Sequence, residues 1–103
     1  MSVLLEFSMF PTDKGESVST YVSRIIKRID ESGYPYRLTP MGTVVETSTM
    51  SEALDVLDKA YRQLENDCNR VYSSVKFDIR KGKENRLEGK IRSIEQKIGE
   101  VKK

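Results

Sequence analysis

A chain of 103 residues can close one hydrophobic core but not two independent ones. Eighteen Lys and Arg against sixteen Asp and Glu leave a net charge of +2, too little to draw polyanions from a distance, so nucleic acid is unsupported as a partner. The absence of histidine removes the usual general base, nucleophile activator and transition-metal ligand, and with them most hydrolytic mechanisms.

The apolar fraction of 37% is lean for the number of helical and strand stripes it must serve, which invites burial against a second subunit. One cysteine, Cys68, allows no intrachain disulfide, and the expected setting is the cytoplasm. No stretch approaches the roughly 20 apolar residues of a membrane span, and Met1 to Phe10 lacks the basic start of a signal peptide.

In chain order, Val3 to Phe10 alternates as a strand, with Val3, Leu5, Phe7 and Met9 on an apolar face and Leu4, Glu6, Ser8 and Phe10 on a mixed one. Pro11 to Glu16 is a turn. Ser17 or Ser19 then caps a helix carrying Val18, Tyr21, Val22, Ile25, Ile26 and Ile29 at helical spacing, and Gly33 stops it. Pro35 favours extended backbone, so Tyr36 to Thr39 reads as a short edge strand, turning through Pro40, Met41 and Gly42 into Thr43 to Thr47.

Thr49 and Glu52 have the spacing of a capping box, opening a second helix with Ala53, Leu54, Leu57, Ala60, Tyr61 and Leu64 on one face, expected to run to about Asp67. Arg70 to Arg80 returns to period two. Val71, Val75, Phe77 and Ile79 take one side of this strand, and Tyr72, Ser74, Lys76, Asp78 and Arg80 the other. After Lys81, Gly82 and Lys83, a last helix spans about 85–102. Leu87, Ile91, Ile94, Ile98 and Val101 form its narrow seam, suited to a groove or a partner subunit.

Strand, helix, strand, strand, helix, strand is the βαββαβ order of an α+β, ferredoxin-like fold: an antiparallel four-stranded sheet with two helices on one face. The expected organisation is one domain over 1–103, with a core at 3–80 and the C-terminal helix added. Helices on one face leave the other face, with Leu4, Phe10 and Tyr72, to be covered by sheet packing or edge pairing.

Three blocks carry a family likeness: Ser17 to Val22, Met41 to Glu46, and Arg70 to Arg80. In their order and spacing the chain resembles the small thiamine-binding proteins of the YkoF-like group. That resemblance implies ferredoxin-like subunits assembled as dimers or tetramers, binding thiamine or its hydroxymethylpyrimidine part without chemistry and without a further cofactor.

Thiamine presents an aminopyrimidine edge, a cationic thiazolium and a hydroxyethyl arm. Glu46 can accept from the exocyclic amine and favour the cation, or pair with Lys76 or Arg80 across the sheet. Thr43 can hydrogen-bond the ring, or simply suit a strand. Ser19 can help receive an anion at a helix start, or cap that helix. Lys76 and Asp78, alternating with Arg80, can border the pocket or lock two subunits together.

Tyr21, Tyr36 and Tyr72 offer stacking faces, with Tyr21 in an apolar stripe. Cys68, with no histidine partner, reads as inert. Glu6, Glu46 and Asp78 show no spacing that marks a catalytic pair or a metal site, so the expectation is a non-enzyme. RNA recognition fails on the central strands, where only Phe10 offers an aromatic ring away from the helices. The main alternative to a small-molecule binder is an oligomeric regulatory or interaction module that engages a protein partner.

Overall fold

A computed structural model describes residues 1–103. The order is β1 (Ser2–Pro11), α1 (Ser19–Ser32), β2 (Tyr36–Thr39), β3 (Gly42–Thr47), α2 (Met50–Arg62), β4 (Val71–Arg80) and α3 (Arg86–Ile98). The strands form one sheet in the order β2-β3-β1-β4, with every neighbouring pair antiparallel. This is the α+β ferredoxin-like arrangement with a third helix appended.

The alternation in β1 decides where the core lies. Val3, Leu5 and Phe7 are at most 3% exposed, and they meet Ile25 and Ile29 of α1, Ala53, Val56 and Ala60 of α2, and Val45 of β3. Gly33 ends α1 in the left-handed conformation, φ 81°, which costs glycine little. The capping box of α2 is formed: Glu52 N donates to Thr49 Oγ1 at 3.1 Å, and Thr49 N donates to Glu52 Oε1 at 3.0 Å.

Three expectations are corrected. Neither Ser17 nor Ser19 caps α1: Val18 occupies that position without a side-chain cap, and its carbonyl accepts from both Tyr21 N and Val22 N. Helix α2 stops at Arg62, short of Asp67, and the chain continues in turns. There Arg24 of α1 donates to Gln63 O at 3.3 Å and to the Asp67 carboxylate at 3.1 Å, drawing the segment toward α1. Helix α3 ends at Ile98 instead of running to about 102.

Strand β4 adopts the expected alternation, with Val75, Phe77 and Ile79 opposite Phe7, Leu5 and Val3. The side chains remain 38%, 36% and 50% exposed, because α1 and α2 pack over β1 and β3 and leave the outer strand uncovered. Helix α3 lies on the opposite sheet face, meeting β3 and β1. Its seam divides: Leu87 and Ile91 are half-buried, whereas Ile94 and Ile98 are exposed.

Candidate functional site

Two assemblies of side chains stand out, one on each sheet face. The first fastens α3. Helix α3 begins after Asn85, whose left-handed backbone, φ 53°, is joined by no side-chain cap. Glu46 of β3 supplies the missing acceptor: Oε2 accepts from Arg86 N at 2.9 Å and Oε1 from Leu87 N at 3.0 Å. A carboxylate there also meets the positive end of the helix dipole.

Around that cap sits Arg86, only 2% exposed. Its Nε donates to Ser2 Oγ at 3.0 Å, and Ser2 Oγ in turn donates to Glu46 Oε2 at 2.6 Å. Arg86 Nη2 donates to the carbonyls of Ser2 and Asp78, and Nη1 lies 3.0 Å from Asp78 Oδ1. Lys90 Nζ holds the other Asp78 oxygen at 2.7 Å.

Burial by itself would raise the Glu46 carboxyl. The Ser2 hydroxyl, the two helix amides and the Arg86 charge outweigh it and hold the group below the usual range. Asp78 is likewise held low, first by its bond to Lys90 and then by Arg86.

The second assembly is a cavity of about 370 Å³ between α1 and the strands on the helix face. Phe7 and Met9 line it from β1, Val22 and Ile26 from α1, Leu38 from β2 and Met41 from the β2–β3 turn. Thr43 adds a hydroxyl at its strand wall. None of the chain's own hydrogen bonds takes up that hydroxyl, whereas Thr39 Oγ1 donates to Gly42 O and Thr47 Oγ1 to Thr49 O. A Cβ on Gly42 would approach Phe7 O to 3.0 Å, so glycine lets the start of β3 sit close against β1 beside the cavity.

A larger cavity, about 520 Å³, lies between α3 and the ends of β2 and β3, with Tyr36, Glu46, Glu88 and Arg92 among its lining. Its charges are already paired: Glu88 meets Arg37 at 3.2 Å and Arg92 at 3.4 Å, while Glu46 caps α3. The apolar cavity, with an unspent hydroxyl, is the better ligand site on chemistry.

The five residues singled out from sequence are not brought together. Thr43 lines the apolar cavity. Glu46 and Asp78 share the α3 fastening on the far side of the sheet, and Lys76 Nζ pairs with Glu6 Oε1 at 3.0 Å on the same face. Ser19 is exposed at the first turn of α1.

Arg86 went unnoticed in the sequence, where it sits in a run of charged residues; only its place before Leu87 marks a helix start. No group of three or more Cys, Asp or Glu side chains gathers to hold a metal ion. Burial, followed by the nearby Asp67 charge, pushes the Cys68 thiol up, so it is a poor nucleophile. No helix is long and apolar enough to cross a membrane.

Comparison with known proteins places this geometry in a family. A family model described as thiamine-binding protein matches residues 5–95. The UPF0045 protein MJ1052 of Methanocaldococcus jannaschii is 39% identical over 92 residues, covering 89% of this chain and 91% of that one. The crystal structure of MJ1052 superposes with a TM-score of 0.81 over 90% of this chain and 95% of that one. A candidate thiamine biosynthesis/salvage protein of Thermotoga maritima, at 22% identity, shares the fold with a TM-score of 0.78 over 91% of this chain and 99% of that one. By the match across nearly its whole length and by its likeness to MJ1052, the chain belongs to the thiamine-binding protein family.

Proposed function

We propose that this chain binds thiamine, or its hydroxymethylpyrimidine part, without covalent chemistry, as a subunit of a cytoplasmic homo-oligomer. Family membership supports the ligand class, and the apolar cavity beside Thr43 is the observation that carries the site. At about 370 Å³ it falls within the roughly 300–1,000 Å³ of small-molecule pockets. Phe7, Val22 and Ile26 would bury the flat ring while the Thr43 hydroxyl addresses its polar edge. Glu46 is spent on α3 and enters this reading only as a structural residue.

The test is a thermal-shift titration with thiamine, its phosphates and hydroxymethylpyrimidine. Ligand at a hundred times its Kd stabilises the folded state by about 2.7 kcal/mol, which raises Tm visibly. Thr43→Val is expected to shrink that shift, and Glu46→Gln to lower the unliganded Tm while keeping it. If none of the compounds moves Tm, the reading fails.

A second reading, an oligomeric module that engages a protein partner, is favoured by Ile94 and Ile98, 50% and 73% exposed on α3. It expects Tm to be indifferent to every vitamin compound, while Ile98→Ser abolishes the partner's binding.

A further inference from the structure

Across the sheet, Leu38 pairs with Thr43 and Thr43 with Phe7, which sets the three side chains in one row on the helix face. Phe7 and Thr43 are buried, whereas Leu38, on the edge strand, is 59% exposed. The row is the floor of the apolar cavity, and Val22 and Ile26 of α1 form a wall. The ladder between β3 and β1 ends at this row, and Met41 lies just beyond it in the turn, also in the lining. At 89% it is the most exposed large apolar side chain of the molecule.

Apolar residues scattered singly over a surface need no explanation. Met41 differs because the backbone beneath it is held while its side chain is not. Thr39 Oγ1 donates to Gly42 O at 2.8 Å and accepts from Met41 N at 3.3 Å, bracing the turn from inside. Gly42 sits so close to β1 that a Cβ would approach Phe7 O to 3.0 Å. The turn is thus fixed at its base, and what remains free at the cavity rim is the Met41 side chain, an unbranched thioether with three rotatable torsions.

We infer that Met41 closes this site, its thioether folding over a flat heteroaromatic ring seated on the row of Phe7, Thr43 and Leu38. The inference rests on the ligand reading proposed above and names the group that covers the ring. Sulfur about 5 Å from an aromatic ring is favourably placed. No Lys, Arg, Asp or Glu lines the cavity, so apolar cover, beside hydroxyls, is the interaction the site has to offer. Without a ligand the Met41 side chain stands almost wholly in water, and only an occupied cavity gives it a surface to bury against. A side chain that closes after entry acts on release more than on capture.

The test measures binding of thiamine and hydroxymethylpyrimidine to the full chain by calorimetry and stopped-flow displacement. Met41→Ala should weaken both about tenfold, nearly all of it in the dissociation rate. Met41→Leu, which keeps the apolar volume, should stay within about threefold of the unmodified chain. Met41 lies outside the core, so far-UV circular dichroism should be unchanged in both variants.

Peptide mass spectrometry after brief treatment with hydrogen peroxide supplies a second readout. In the ligand-free chain Met41 should become the sulfoxide faster than the half-buried Met50. Saturating thiamine should slow Met41 about fivefold or more, while Met1 and Met50, outside the cavity, keep their rates. Undiminished binding by Met41→Ala, or equal oxidation of Met41 with and without thiamine, would overturn the cover and leave the ligand reading intact. Oxidation of Met41 slower than Met50 in the ligand-free chain would show it already covered, as by a second copy, and overturn the inference too. If neither compound binds the unmodified chain, the ligand reading and the cover fall together.

Discussion

Glu46 shows how a side chain's role depends on what lies above it. Its place in the run Val44, Val45, Glu46, Thr47 marks it as a charged residue in a strand, and from sequence a ligand and an ion pair are equal uses for it. The structure spends both its oxygens on the first amides of α3. No local rule announces such a cap, because donor and acceptor are 40 residues apart. Since the Glu46 carboxyl titrates lower folded than unfolded, its contribution is whole above the ordinary glutamate pKa of about 4.3. It is lost as the pH falls through the depressed folded value. Glu46→Gln, whose amide keeps one acceptor oxygen and turns a donor toward the other helix N–H, should cost about 1–3 kcal/mol at neutral pH. Its stability should then fall less steeply with acid, as urea midpoints from pH 7 to pH 3 would show. Asp78, half-exposed, adds little to that acid limb because water and salt screen it.

Helix ends divide into those written in the sequence and those imposed by neighbours. Thr49 with Glu52, and Gly33, are local signals, and each works as its residue type dictates. Thr49→Ala removes one half of the box and should lower stability by about 1 kcal/mol, read as a drop in Tm. Ser17→Ala should leave Tm almost unchanged, since the serine does not cap α1. The end of α2 was not legible because no glycine or proline follows Arg62 closely, and the side chain that holds the turns after it, Arg24, is far away in the chain. In β4 the periodicity gave the correct face for Val75, Phe77 and Ile79. It could not say how far the helix layer reaches, which depends on where two helices fit over four strands. The cavity is hidden for the same reason: Thr43 was legible as a candidate, but the walls that surround it come from three separate elements.

At the scale of the whole molecule, the alternating and helical patterns were enough for the order of elements and the ferredoxin-like sheet. The attachment of α3 was not, because it rests on contacts distant in sequence, the Glu46 cap and the buried Arg86 foremost. Removing one partner of such a buried charge cluster typically costs about 3–5 kcal/mol, so Arg86→Ala should be the most damaging single change on that face, measured by urea denaturation.

The bonds from Arg86 to Ser2 join residues 84 positions apart. Contacts so distant in sequence tend to form late, after local turns and helices have shortened the path between them. The fastening of α3 thus marks a moment in time as well as a place: its span in sequence is close to that of the Ser2–Arg80 pair at the end of the β1–β4 ladder, so the knot between opening strand and last helix is expected to be tied together with or after that pairing. In stopped-flow measurements Arg86→Ala should accelerate unfolding and leave the refolding rate nearly untouched. During synthesis, the first strand would wait for almost the entire chain before its Ser2 finds the arginine that holds it.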